Sequence, residues 1–570
     1  MLKSILDTQV GGEDLKFLFC AVNSKFIHSS LAPWYLSASV QASGSDSTAE
    51  VFEATINEAP EQVFEKIMKY EFDVIGFSTY IWNKNYIMSL AKKVKEKRNV
   101  TIILGGPEVS YNAYEILREY DFVDFVVSGE GEEPFGRLAQ GEKVEEINGF
   151  SYRKNGEIII CEPYIPKSPP PFPYTKEYFE ALKGRIAYLE TSRGCPFHCA
   201  FCLSGRCGGV RFFDMEESKR KILLLANSGA QTIKFIDRTF NADKKRANEK
   251  LQFIIDNYGK NMPTSVCFHF EIEGELVDEA MLKVIEKAPK GLFQFEIGLQ
   301  SFNEKTLLYI NRRTNIKKLV NSIKAMISLD NIHIHIDLIA GMSYENIESL
   351  ENSFNRAIEL RPHMLQFGFL KLLHGAEMRE NNEKFKFEFS HNPPYEVIST
   401  EWLTKEELIK LHTFENTFEK LYNSSRFYRT CEYLFSLTES PFKLIFDFAQ
   451  FCERRVTANT LDDFTETIYS YFSKMQGVDE KILRDVLAID RLSTNKMGVL
   501  PEFLKVHSPL IKSHLNLLES SPETRREKGV KRAATVLLSE PSFVYVDYKN
   551  ADKMKKTYKI NKITINYDEI

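Results

Sequence analysis

Three cysteines, Cys195, Cys199 and Cys202, stand at CxxxCxxC spacing in the stretch RIAYLETSRGCPFHCAFCLSGRCGGVR. Thiolates are the usual protein ligands of iron–sulfur clusters, and a cubane takes four ligands. Three close cysteines on one loop therefore bind three irons and leave the fourth open to a small molecule. The alternatives are a zinc loop, whose cysteines usually come in CxxC pairs, and three unrelated buried thiols. Gly194 and Pro196 shape the turn, and the apolar run Ile186–Leu189 before it reads as a buried strand.

A loop of this kind needs a scaffold. At 570 residues the chain exceeds one core and is expected to form several domains. It is 43% hydrophobic and 27% charged with a formal net charge of −5, which argues against a protein dedicated to gripping nucleic acid. No apolar run is long enough to span a bilayer, and the N-terminus MLKSILDTQVGGEDLK lacks the apolar stretch of a signal peptide. Nine cysteines, an odd number with a metal-type cluster among them, point to a reducing interior, so a cytoplasmic location is expected.

Residues 14–145 alternate short apolar runs with helix-like segments. Strands are predicted at Lys16–Val22, Val51–Ile56, Asp73–Thr79, Val100–Leu104 and Phe122–Val127, which makes a doubly wound parallel sheet. Ligands of such sheets sit beyond the carboxyl ends of the strands. There the sequence places Ser78 and Thr79, Gly105 and Gly106, and Gly129, Glu130 and Gly131. Small residues let a ligand approach the backbone closely. Residues 146–182 form a connector: a hairpin over Ile147–Ile160 turning at Lys154-Asn155-Gly156, then six prolines between Pro163 and Pro173.

Six strand–helix units are read in residues 183–375, with strands at Ile186–Glu190, Thr232–Asp237, Val266–Phe270, Leu292–Leu299, His333–Ile339 and Leu365–Leu372. Six units suggest an incomplete (β/α)6 barrel with active residues at the carboxyl ends of its strands. Asp237, Arg238, Glu271, Glu273, Glu296, Gln300, Asp337 and Gly341 fall at those ends. Residues 376–570 turn mostly helical, with a capping box at Thr404 and Glu407 and a strand pair at Phe543–Tyr548 and Lys559–Tyr567. The basic run Arg525, Arg526, Lys528, Lys531 and Arg532 reads as a solvated helix face, with contact to an anionic partner as the alternative. Cys207 reads as a loop thiol near the cluster, with a second functional thiol as the alternative.

The cysteine spacing, with Phe201 between the last two cysteines, resembles the signature of the radical S-adenosylmethionine (SAM) superfamily. The LGGPEVS and VSGEGEEPF segments before it are similar to the cobalamin-binding domain of the class that pairs the two. The resemblance implies a 4Fe–4S cluster on Cys195, Cys199 and Cys202, SAM on the open iron, and cobalamin on the first domain. It makes Ser78, Thr79, Gly105, Gly106, Gly129, Glu130 and Gly131 candidate cobalamin residues, and Asp237, Arg238, Glu296, Gln300, Asp337 and Gly341 candidate SAM residues. Phe369 and Leu370 could wall the adenine.

One departure is plain: the Asp-x-His-x-x-Gly loop of the family's better-known members is replaced by Asn23–Ser30, so His28 is read as a hydrogen-bonder rather than a cobalt ligand. The C-terminal region resembles an uncharacterised domain attached to some members. The implied activity is methyl transfer to an unactivated carbon through a 5′-deoxyadenosyl radical, with a ferredoxin or flavodoxin as one-electron donor. The alternatives are ring closure or rearrangement without methyl transfer, a methylthiotransferase, and a non-enzymatic redox sensor. Cys20 alone in the first domain cannot ligate the second cluster that a methylthiotransferase uses.

Overall fold

Lys16–Asn23 is apolar along nearly its whole length and is buried on both faces as strand β1, the pattern of a central parallel strand. In the computed structural model, which describes residues 14–206, 208–454, 460–496 and 498–565, the chain forms two units. The first comprises residues up to Leu276 with Ile310–Arg312 and Leu370–Ile398. The second comprises Val277–Tyr309, Arg313–Phe369 and the C-terminal region from Ser399. The N-terminal segment 1–13 and Cys207 lie outside the described residues.

In the first unit β1 pairs in parallel with β2 (Thr48–Thr55) and β3 (Val74–Ser78). β4 (Thr101–Gly105) and β5 (Phe125–Val127) continue the parallel sheet. The hairpin strands β6 (Phe150–Lys154) and β7 (Glu157–Ile159) then extend it antiparallel, so the sheet runs β2-β1-β3-β4-β5-β6-β7. Asn155 and Gly156, both at positive φ, make the tight turn between them. Apolar cores form on both faces; Ile75, Ile102 and Val126, all at 0% exposure, belong to one of them. Each such side chain contributes about 1.5–3 kcal/mol. Ala21, Ser78, Gly105 and Val127 align in register, so the loops after β1, β3, β4 and β5 leave the sheet side by side.

The six predicted barrel strands are present, three in each unit. In the first, β8 (Ala187–Leu189), β11 (Thr232–Phe235) and β12 (Cys267–Ile272) are parallel, with helices Met215–Ala226 and Lys244–Asn257 in the crossovers. Between β8 and β11 lies a short antiparallel pair, β9 (Ser192–Cys195) and β10 (Gly209–Phe212). In the second unit β13 (Phe293–Gln300), β14 (His333–Ala340) and β15 (Met364–Phe369) are parallel, crossed by helices Ile316–Ser328 and Ile347–Glu359.

Past the two short strands β16 (Glu388–Phe389) and β17 (Val397–Ser399) the chain is largely helical. Thr404 and Glu407 form the expected capping box, each side chain accepting from the other's backbone N–H. Phe354, Phe414 and Phe442 pack ring to ring, so the aromatic composition of this region is core. The terminal strand pair becomes a three-stranded antiparallel sheet of β18 (Arg532–Val536), β19 (Ser542–Ala551) and β20 (Tyr558–Thr564). The basic run is loop and strand rather than helix: Gly529 turns at φ +89°, and Arg532 opens β18 by donating to Asp547 at 2.6 Å. No helix among the described residues is long and apolar enough to cross a membrane.

Candidate active site

The cysteine loop hangs from the β9/β10 hairpin, in which Cys195 faces Gly209. Gly194, Gly208 and Gly209 all take positive φ at the loop end of this stem, a conformation that only glycine adopts at no steric cost. Cys199 and Cys202 lie in the turn that follows, closed by the Cys202 N–H donating to Cys199 O at 3.0 Å. All three thiols are free. Burial raises the Cys199 thiol, while the Arg312 guanidinium opposes that shift and Cys202 and Cys195 add to it. Arg312 Nη1 lies 3.7 Å from Cys199 Sγ, and Nη2 donates to Glu273 Oε2 at 2.8 Å. Three soft donors on one short loop, one of them beside a buried guanidinium, fit an anionic iron–sulfur cluster with one open iron.

The polar residues around the loop hold its backbone. Asp237 is fully buried; it accepts from the Thr191 N–H at 2.7 Å, the Thr191 hydroxyl at 2.5 Å and the Ser192 hydroxyl at 2.7 Å. Lys250 donates to the Thr191 hydroxyl at 2.6 Å, and burial lowers its pKa to about 8. Arg238 is largely exposed, 3.9 Å from Glu271. Asn241 bonds the Glu273 backbone through both ends of its amide. Burial raises the Glu273 carboxyl, and its Oε1 has no hydrogen-bond partner among the described residues.

In the second unit the register pairs Glu296 with His335 and Gly298 with Asp337 across β13 and β14. The ligand atoms of Glu296, His335 and Asp337 lie within 4.8 Å of one another, with His335 Nε2 3.0 Å from Asp337 Oδ1. Gln300 ends β13 at φ +69°, and its buried Oε1 has no hydrogen-bond partner among the described residues. Gly341 follows β14 at φ +88°, and Phe369 stacks on His412 at 3.7 Å. Glu296 and Asp337 thus lie within β13 and β14 rather than at their ends, while the unpartnered buried amide oxygen of Gln300, at the end of β13, fits a ligand with hydroxyl or amino donors, as SAM has.

The first sheet presents the remaining candidates. Thr79 is fully buried and donates its N–H to Gly105 O at 2.7 Å. Gly106 and Gly129 have positive φ, and a Cβ at Gly129 would meet Tyr164 O at 2.2 Å. Ser78 O accepts from the Asn83 amide, and Gly131 starts helix Glu132–Ala139. Glu130 is tied to Arg193 and Arg211. Beyond β1 and β3, Phe26, Ile27 and Trp82 are 59%, 44% and 45% exposed, an apolar surface where such a sheet takes its ligand. Glycines that keep the neighbouring loops low beside that surface fit the broad, largely apolar corrin. His28 Nδ1 meets the Tyr188 hydroxyl at 2.8 Å. Arg193, Arg312 and His335 are the residues that sequence reasoning missed; each is defined by partners distant in the chain.

A doubly wound sheet joined to a cysteine triad on a (β/α)6 half-barrel is the architecture of cobalamin-class radical SAM proteins. Residues 19–139 match the B12 binding domain, 189–357 the Radical SAM superfamily, and 383–567 a protein family of unknown function, DUF4080. The chain thus carries a B12-binding domain, a radical SAM domain and a DUF4080 domain in one enzyme, and the first two imply cobalamin, a 4Fe–4S cluster and SAM as its cofactors. It is 26% identical over 318 residues to the cobalamin-dependent radical SAM methyltransferase TokK of Streptomyces tokunonensis, covering 51% of this chain and 46% of that one. It is 22% identical over 353 residues to the anaerobic magnesium-protoporphyrin IX monomethyl ester cyclase of Rubrivivax gelatinosus, covering 58% and 62%. The chain thus spans about half the length of TokK. The cobalamin-dependent radical enzyme OxsB, solved with aqua-cobalamin and SAM bound, shares the fold at a TM-score of 0.60 and 15% identity over 90% of this chain and 82% of that one.

Proposed function

We propose that this protein is a cobalamin-dependent radical SAM methyltransferase that alkylates an unactivated carbon. The observation that carries the reading is that one unit holds both the thiol triad and the apolar strand ends of a B12-type sheet, with Glu130 of the sheet bonded to the stem of the triad. Together the bound cofactors supply a 5′-deoxyadenosyl radical and a transferable methyl group. The protein's part is placement and exclusion of water. Asp237 fixes Thr191 and Ser192, and with them the entry to the cysteine loop. Arg312 places a positive charge beside Cys199 and so favours the thiolate. In the second unit Gln300 offers a buried amide oxygen with no hydrogen-bond partner among the described residues, and Glu296 and Asp337 remain candidate SAM residues. A one-electron donor of the ferredoxin or flavodoxin type completes the system, and the free thiols suit a reducing cytoplasm.

The test is anaerobic reconstitution with iron, sulfide and hydroxocobalamin, followed by desalting and reaction with SAM under reduction. Retention of both iron and cobalamin, with release of S-adenosylhomocysteine, supports the reading. Iron without cobalamin overturns it. Retention of both with 5′-deoxyadenosine but no S-adenosylhomocysteine supports instead the reading that the cyclase relative favours, chemistry without methyl transfer.

A further inference from the structure

Arg193 and Arg211 face each other across the β9/β10 stem, and both donate to Glu130, in the loop that follows β5 of the first sheet. Arg193 spends every nitrogen on a carboxylate: Nη1 on Glu130 at 2.5 Å, Nη2 on Glu132 at 2.6 Å and Nε on Glu190 at 2.9 Å. Its guanidinium also lies 5.4 Å from the Tyr35 ring and 6.0 Å from the Phe213 ring. The side chain is 15% exposed, so this planar fork is satisfied on all sides in a largely dry setting. Glu130 is flanked by Gly129 and Gly131 at the sheet's ligand-facing edge, and its own N–H is held by Tyr164 O at 2.8 Å. The stem, in contrast, ends in Gly208 and Gly209, which take positive φ with no atom within 4 Å of where a Cβ would sit. Packing does not demand glycine there; freedom of the backbone does. Gly208 and Gly209 therefore leave the loop end of the stem room to adjust its backbone.

We propose that Glu130, Arg193 and Arg211 form a clamp that couples occupancy of the cobalamin pocket to occupancy of the cluster loop. The proposal rests on the function given above. Irons shared by Cys195, Cys199 and Cys202 close the stem, the closed stem aligns both guanidinium groups, and these fix the Glu130 loop in its ligand-receiving form. Such coupling is reciprocal: cobalamin must stabilise the cluster by the same factor as the cluster tightens cobalamin. Arg193 and Arg211 act through Glu130 and are positioning residues.

The measurement is an anaerobic titration with hydroxocobalamin, read by visible absorbance, of protein with and without its reconstituted cluster. In the unaltered protein the cluster should tighten cobalamin about tenfold, within the usual range of coupling between sites. Arg211 is a third exposed, so Arg211→Gln should fold; the factor should fall toward one while iron content and the cluster-free dissociation constant stay unchanged. Glu130→Gln separates coupling from direct contact. Weakening only in the cluster-loaded protein supports the clamp, and equal weakening in both forms overturns it. An Arg211→Gln variant that keeps the full factor also overturns it. If the unaltered protein binds cobalamin equally with and without iron, the clamp alone falls. If it binds none in either form, the functional reading falls with it.

Discussion

Arg312 holds Glu273 through a 2.8 Å bond, and the two side chains are only 11% and 9% exposed. Burial pushes the Glu273 carboxyl up and Arg312 draws it back down. Arg312→Gln would leave a buried carboxylate without its cation beside cluster thiolates. Breaking a buried pair from one side costs about 3–5 kcal/mol. The expected outcome is a lower unfolding midpoint and less iron retained after desalting. Arg312→Gln with Glu273→Gln should recover most of the loss, because no buried charge then stands alone. A double variant no better than the single one would refute this account.

The strand–helix alternation was legible because apolar runs such as Phe17–Val22 and apolar–polar alternation such as Ile334–Leu338 carry their own signal. The cysteine triad was legible because its spacing is local. The β9/β10 stem was not: SRGC and GVRF are four-residue strands, one of them with an interior glycine and both with an arginine, too short for a period to stand out. Arg193 was invisible for another reason. Its partners Glu130 and Glu132 stand 63 and 61 positions earlier, and only the folded sheet brings them to it. The third strand of the terminal sheet, β18, hid within a charged stretch whose leading Arg532 pairs across to Asp547. Asp237 was found at a strand end, but its inward hydrogen bonds to Thr191 and Ser192 could not be read from composition or spacing.

Asp237 gives the second prediction. Asp237→Asn replaces a carboxylate oxygen by a donor facing the Thr191 and Ser192 hydroxyls and strips buried Lys250 of the anion 4.0 Å away. The loss should be ~3 kcal/mol or more, measured by denaturant unfolding. Adding Lys250→Met should restore part of it, since the stranded ammonium is then gone. An Asp237→Asn protein of full stability would mean that these bonds do not hold the loop entry.

Gly129 supplies the third. It sits at φ +89° with Tyr164 of the connector against it, and Tyr164 N–H donates to Ser128 O at 2.9 Å. A methyl group there meets backbone on both the carbonyl and amide sides, so the connector must move. Gly129→Ala should expose the proline-rich segment to limited proteolysis and weaken cobalamin binding, while the cysteine loop keeps its iron. Unchanged cleavage kinetics would show that the connector is not held at this point.

Glu345 sets a pH dependence in the second unit. It is fully buried, accepts a hydrogen bond from the Ser301 hydroxyl, and burial pushes its pKa up to about 7 although hydrogen bonds from Ser301, Thr306 and Ser349 draw it down. In the unfolded chain a glutamate titrates near 4.3. Between those values the folded protein keeps a proton that the unfolded chain has released, so stability falls as pH rises and levels off above the folded pKa. The full effect is roughly 4 kcal/mol. Glu345→Gln removes the ionisation, keeps the shape, and can still accept from Ser301. The variant should therefore match the unaltered protein near pH 4.5 and exceed it in unfolding free energy at pH 8. A difference that does not grow across that window would show that Glu345 stays ionised in the fold, with its charge balanced by the hydroxyl groups around it.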